Sequence, residues 1–304
     1  MHSELRKLAL KAKDALRPFG ELDCLMYYAT VSEVLRDFLK GKELASKIYI
    51  PQGLELLKRG SQLEPLFAFE LAANVNEDFL RETRKLHLNE ARGKISKKQE
   101  KIWKYFYPRK NCTFLYATNT EGINHQIERV FFDIDRKSQG PEDARLIASE
   151  LAGLIQADSD FKKKIGKFDL MPMWTGSSFH VYLLLEKPIT HGFYDKELMF
   201  SKSRPLNSFT GKWAQEIAKA TGLKVIGGHE KQEGFINIDP SQTPSGKLAR
   251  APFSLHFKDA KTLDGIALPL TFKQLGTKGI SRELRKETPE KAIKELDFRA
   301  KAIP

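Results

Sequence analysis

The chain has 304 residues, 41% of them hydrophobic and 30% charged, an ordinary make-up for a folded protein with a sizeable core. Its formal net charge of +12 is not ordinary and points to a polyanionic partner, nucleic acid ahead of membrane. Two cysteines, Cys24 and Cys112, stand far apart without a C-x-x-C pair, which excludes a disulfide framework and a cysteine-rich zinc site, so no structural zinc is expected.

That cysteine usage fits a reducing compartment. The N-terminus is charged from Glu4 onward, and no run approaches membrane-spanning length. The expected location is cytoplasmic, nucleoid-associated in a prokaryote, with no membrane partner.

Taken in order, residues 3 to 17 read as a helix capped by Ser3, with Leu5, Leu8, Ala12 and Leu16 on one stripe, stopped by Pro18 and Gly20. A second helix is expected from about Ser32 to Gly41. Ala45 to Ile50 is a strand candidate, Leu54 to Leu57 a helical turn, and Leu63 to Leu88 helical by its apolar spacing. A helix over Glu90 to Tyr107 would line Lys94, Lys97, Lys98 and Lys101 along one face, with Ile95, Ile102 and Phe106 on another. Such a row is usually a solvated face. Beside a polyanion it is also the first candidate for phosphate-backbone contact, ahead of the run from Lys162 to Lys167.

From Thr113 the texture changes. Strands are expected at Thr113 to Thr118, Arg129 to Ile134, Asp169 to Trp174 and Phe179 to Leu185, the last two split by Thr175-Gly176-Ser177-Ser178. Helices are expected from Pro141 to about Ile155 and from Ser208 to Thr221. Short strands follow at Val225-Ile226, Phe235 to Ile238 and Phe253 to Phe257, and then a C-terminal helix capped by Thr288. Strands and helices mix without regular βαβ alternation, so the fold class is α+β with a mixed, mostly antiparallel sheet. The expected organisation is a mainly helical N-terminal region over 1–110, a catalytic core over 111–280 and a C-terminal helix over 281–304.

The stretch Val130-Phe131-Phe132-Asp133-Ile134-Asp135 carries the strongest chemical signal. Alternation in a strand puts Asp133 and Asp135 on one face and Phe132 and Ile134 on the other. Two carboxylates on one face repel unless a cation lies between them, and Mg²⁺ or Mn²⁺ is the natural partner. The plain alternative is a strand end whose carboxylates meet solvent or cap a turn. Glycosyltransferases, aspartate-nucleophile phosphatases and nucleotidyltransferases share the bare D-x-D.

Two later segments narrow the choice. Thr175 to His180 is a small-residue turn delivering a histidine to an apolar strand. Phe235-Ile236-Asn237-Ile238-Asp239 is an apolar strand ending in a carboxylate, followed by Arg250-Ala251-Pro252-Phe253-Ser254-Leu255-His256. In that order and spacing the set resembles the catalytic core of the archaeo-eukaryotic primase superfamily, over roughly Thr113 to Leu275. The resemblance implies a primase-type core and a template-directed nucleotidyltransferase, a DNA primase or polymerase, acting on NTPs or dNTPs with a DNA template and primer. It implies that Asp133, Asp135 and Asp239 hold two Mg²⁺ or Mn²⁺ ions. It implies that Ser178, His180, Arg250, His256 and Lys258 bind the nucleotide, and it leaves room for other replication or repair subunits as partners.

The chain departs from the family in its second motif, where replicative primases carry arginine and this sequence has Ser177 and Ser178. The absence of a cysteine-rich insert favours a lean primase-polymerase or the related polymerase of ligase-linked end-joining repair. Two other readings stand beside it: a non-catalytic primase-fold subunit that binds nucleic acid, and a metal-dependent nuclease.

Overall fold

The computed structural model describes residues 4–12, 23–49, 55–60, 62–83, 86–91, 93–107, 113–118, 126–230, 232–259 and 262–304. The expected cap at Ser3 and stop at Pro18 and Gly20 lie outside them. The described strands, in chain order, are β1 (Leu44–Tyr49), β2 (Glu55–Lys58), β3 (Thr113–Thr118), β4 (Ile127–Asp135), β5 (Phe168–Trp174), β6 (Phe179–Ile189), β7 (Val225–Gly227), β8 (Ile236–Asp239), β9 (Leu248–Arg250), β10 (Leu255–Phe257), β11 (Leu263–Ile266) and β12 (Leu268–Pro269). Mixed helices and mostly antiparallel strands make the α+β class read from the sequence.

The chain forms two compact units. The first comprises Met1–Ala117, Arg250–Ile266 and Glu287–Lys301, the second Thr118–Ala249, Ala267–Lys286 and Ala302–Pro304. Each unit is assembled from several separate stretches of the chain.

In the first unit β1 pairs antiparallel with both β2 and β3, so that Lys47 stands opposite Leu57 and Phe114. A helix at Cys24–Leu35 is N-capped by Asp23, whose carboxylate accepts from the Met26 N–H at 3.0 Å. Tyr28 on this helix donates to the Thr113 carbonyl at 2.6 Å and accepts from the Leu255 N–H at 3.0 Å. The helix starts well before the expected Ser32. It is buried nearly all round, so the one-sided stripe that signals a surface helix is missing from its first two turns.

Two more expectations need correcting here. Residues 55–58 form strand β2 rather than a helical turn, a four-residue run being too short for its period to decide. Leu63 to Leu88 holds short helices at Ala68–Asn74, Glu77–Thr83 and Leu88–Ala91 instead of one long one. The Asn76 side chain starts the second by accepting from the Phe79 N–H at 2.9 Å.

The second unit is built on a six-stranded sheet in the order β12-β5-β6-β4-β8-β7, antiparallel throughout except for the parallel pair β7 and β8. Val130, Phe132 and Ile134 on β4 are fully buried beside Leu183, Val181 and Phe179 of β6. The helices Pro141–Ala157 and Phe209–Thr221 also belong to this unit, and Phe132 meets the Trp213 ring edge-on at 6.0 Å. Trp213 in turn donates Nε1–H to Asp158 at 3.0 Å, and Asp158 also caps the helix Ser159–Ile165. Val130, Phe132, Ile134 and Trp213 form a buried apolar layer behind the carboxylates of β4.

Phe132→Ala should therefore destabilise the protein by about 3–5 kcal/mol, seen as a lower urea midpoint with an altered Trp fluorescence signal. Truncation of the half-exposed Lys104 should move the midpoint hardly at all.

Candidate active site

The register of β4 sets the site. Asp133 pairs with His180 on β6 and with Asp239 on β8, while Asp135 pairs with Asn237. Residues directly opposite in antiparallel strands project to the same face. His180, Asp133 and Asp239 consequently stand in one row across three adjacent strands, with Asp135 two residues along on the same face. The expected alternation is met: acidic side chains on this face, Phe132 and Ile134 on the other.

Asp133 is partly open, its side chain 30% exposed, whereas His180 is only 8% exposed. The two touch, His180 Nε2 lying 3.2 Å from Asp133 Oδ1. The imidazole also stands edge-on to Phe131, ring centres 4.6 Å apart at 87°. Asp239 is buried and accepts from the Ser241 N–H at 2.8 Å and from the Ser241 hydroxyl at 2.9 Å. Burial pushes the Asp239 carboxyl above its ordinary value and the charge of Asp133 adds to this, while Ser241 and His229 pull it down.

His229 is an addition that sequence reasoning missed. It lies in the segment after β7, held against β8 by Asn237, whose Nδ2 donates to the carbonyls of Gly228 at 2.8 Å and Glu230 at 3.0 Å. The short Val225-Ile226 strand gave the only signal.

The turn before His180 is braced on β4. The Ser178 hydroxyl donates to the Ile134 carbonyl, the Ser178 N–H donates to Thr175 Oγ1 at 2.9 Å, and the Thr175 N–H returns to the Ser178 carbonyl at 2.9 Å. Gly176 sits at φ +98°, a conformation that only glycine adopts without strain. Arg136, directly after the D-x-D, donates Nε–H to the Ser177 carbonyl at 2.8 Å. Ser178 and His180, expected to face nucleotide phosphates, are thus both buried and bonded to β4.

Among the described residues, no three carboxylate, imidazole or thiolate side chains come close enough to form a preformed metal cage. Asp133 and Asp239 stand opposite each other in register, the second raised chiefly by burial and further by the charge of the first, and the pair has the charge to share a divalent cation. Asp135 shares their face but not their row.

In the first unit, Arg250, His256 and Lys258 lie on β9, on β10 and in the turn beyond it. Arg250 donates Nη1–H to His256 Nδ1 at 2.7 Å and Nη2–H to the Tyr116 hydroxyl at 3.2 Å, and its guanidinium stacks over Phe114 and Tyr116. His256 Nε2 lies 3.7 Å from Asp264. Phe253, buried in the link between β9 and β10, adopts φ +63°, a strained value for a bulky residue. The strand expected from Phe253 begins only at Leu255 for this reason. Lys258 is exposed. Tyr116 and Asp264, unnoticed in the sequence, complete this polar chain.

The lysine row comes apart. The helix starts at Lys97, capped by Ser96 and Gln99, so Lys94 lies in the preceding turn. Lys94, Lys97 and Lys98 are exposed. Lys101 turns inward, Nζ lying 2.6 Å from Glu70, 3.2 Å from Glu64 and 3.0 Å from the Pro65 carbonyl. Burial disfavours its charge, but Glu70 and Glu64 outweigh that and leave its pKa raised. It holds two helices together instead of facing a polyanion. Of the later run, Lys164 is also engaged, 2.7 Å from Glu197.

No protein-family model matches this chain, and no curated protein matches it. Among solved structures, the polymerase domain of Mycobacterium tuberculosis Ligase D, in complex with DNA, superposes with a TM-score of 0.56 over 91% of this chain and 88% of that one, at 17% sequence identity. The likeness is one of fold. Among the described residues, no helix is long and apolar enough to cross a membrane.

Two outcomes follow from this geometry. Asp239's folded pKa exceeds the 3.8 of an ordinary aspartate, so as pH rises the unfolded chain ionises first and stability is lost from there up through the folded pKa. Asp239→Asn should then raise the melting temperature of EDTA-treated protein at neutral pH, and the gain should vanish below pH 3.8. Lys101→Ala should cost about 1–3 kcal/mol by leaving the half-satisfied Glu70 carboxylate without its cation, while Lys98→Ala stays within about 0.5 kcal/mol in the same denaturation assay.

Proposed function

We propose that this chain is a template-directed nucleotidyltransferase of the primase-polymerase type, taking DNA as template and primer and NTPs or dNTPs as substrate. The observation that carries this reading is the row of His180, Asp133 and Asp239 on one face of a sheet whose fold matches a polymerase domain. The net charge of +12 supports a nucleic-acid partner.

In this reading Asp133, Asp239 and Asp135 hold Mg²⁺ or Mn²⁺. Bound there, the ions would lower the pKa of the attacking hydroxyl and neutralise the leaving phosphates. The reaction joins the primer's 3′-oxygen to the nucleotide's α-phosphorus and breaks the bond to the departing pyrophosphate. Arg250 is the residue best suited to the triphosphate, since its planar fork matches phosphate oxygens and is already oriented by His256 and Tyr116. Lys258, exposed beyond β10, supplies a second cation. Lys94, Lys97 and Lys98 are the remaining candidates from the lysine row for contact with the strand, and Lys101 is withdrawn from it.

Primer extension on a labelled template, with Mn²⁺ and each nucleotide pool, with and without primer, tests the proposal. Extension is the expected result, and cleavage or binding without turnover would replace it by the nuclease or the non-catalytic reading. Asp133→Ala and Asp239→Ala should each lower transfer by more than about 100-fold, beyond what the loss of an outer-shell partner costs, with DNA affinity retained in anisotropy. Arg250→Ala should raise KM for the nucleotide, lower kcat, or both.

A further inference from the structure

We propose that Thr243 is a positioning residue for Asp239: its buried hydroxyl takes over the strand pairing of Phe131 and so frees Ser241 to hold the Asp239 carboxylate. The inference rests on the reading of Asp239 as a cation-binding side chain and adds to it the residues that aim that side chain.

Three observations carry it. The first is a replacement in the strand ladder. β8 ends at Asp239 opposite Asp133, so the next residue to face β4 in that register would be Ser241, opposite Phe131. Ser241 is turned elsewhere, and the Thr243 hydroxyl stands in for it. Thr243 Oγ1 accepts from the Phe131 N–H at 3.0 Å and donates to the Phe131 carbonyl at 3.1 Å. Thr243 is fully buried, where either backbone group left bare would cost stability.

The second is what the released serine does. Its N–H donates to Asp239 Oδ1 at 2.8 Å and its hydroxyl to Oδ2 at 2.9 Å, one bond to each carboxylate oxygen. The third is the turn between them. The Pro240 carbonyl accepts from the Thr243 N–H at 2.9 Å and from the hydroxyl of the buried Tyr194 at 3.1 Å. Thr243 therefore grips β4 with its side chain and the turn with its backbone, and Ser241 is held between.

The chemistry is that of a hydroxyl, which is donor and acceptor at once and can meet both groups of one strand residue. A carboxylate fixed at both oxygens keeps its remaining lone pairs in one orientation, so a cation binding there orders less. Removal of such outer-shell partners typically costs about 10–100-fold in metal affinity.

The test reads Mn²⁺ affinity of the nucleotide-free protein by electron paramagnetic resonance of the free ion, with thermal unfolding of each variant beside it. Thr243→Val and Ser241→Ala should each weaken Mn²⁺ binding about 10-fold or more. Thr243→Ser, which keeps the hydroxyl, should stay near wild type. The double variant should fall short of the product of the two single effects, because both act through one carboxylate. Thr210→Val, which removes another fully buried hydroxyl, bonded to the Leu198 carbonyl at 2.6 Å, should lower the melting temperature with Mn²⁺ affinity unchanged. If Thr243→Val fails to fold, Thr243→Cys takes its place with the same expectation, since a thiol bonds only weakly. Wild-type Mn²⁺ affinity in the Thr243 variant, single effects that multiply in the double variant, or an equal loss in Thr210→Val overturns the assignment. A wild-type protein that binds no Mn²⁺, or an Asp239→Ala variant that binds it as well as wild type, overturns the reading of Asp239 beneath it.

Discussion

Everything distinctive about the second unit depends on the strand register at Asp133. Side chains alternate with a period of two, so one residue of slip in β4 would turn Asp133 and Asp135 into the apolar layer and send Phe132 and Ile134 outward. The register is held from both sides. Phe132, Ile134, Val181 and Phe179 are fully buried, and removing them to the polar face would forfeit roughly 1.5–3 kcal/mol each. The turn at Thr175 to Ser178 fixes where β6 begins, because its left-handed Gly176 and its bonds to Ile134 and Arg136 permit one alignment. The acidic row is thus positioned by apolar residues that never touch it.

Such a row opposes stability. Asp239 is buried beside a like charge, and burial first, then that charge, push its carboxyl above the ordinary value. Ser241 softens the cost with two hydrogen bonds, and the neighbouring His229 pulls the Asp239 carboxyl in the same direction. Neither removes it. Carboxylates held against their own electrostatics are the kind of group that perturbed functional sites collect.

The sequence made one layer of this legible and hid another. Alternation along a single strand was enough to put Asp133 and Asp135 together, and the short apolar run before Asp239 marked a second strand end. What no single strand can reveal is its neighbour: that Asp239 and His180 both stand opposite Asp133 is a property of pairing between segments over a hundred and nearly fifty residues away. The same limit explains Lys101. Its spacing from Lys97 and Lys98 is correct for a shared helix face, but Glu70 and Glu64, some thirty residues earlier, turn it inward. The Cys24–Leu35 helix failed for the opposite reason, being apolar on too many sides to show a stripe. Tyr116 and Asp264 carried no pattern at all, and only the contacts of Arg250 and His256 bring them into view.

The two electrostatic scales of the molecule also pull against each other. Its overall charge of +12 sets up a field that attracts polyanions without requiring any particular residue. The face carrying Asp133, Asp135 and Asp239 is locally acidic and repels the same anions at short range. In the proposed function the divalent cation reconciles the two, converting a repulsive face into one that accepts phosphate oxygens. Binding of nucleic acid and chemistry on it then respond to different variables. Affinity follows monovalent salt through counterion release, whereas turnover follows divalent ion through the carboxylate row. A protein that merely bound nucleic acid would have the first dependence without the second.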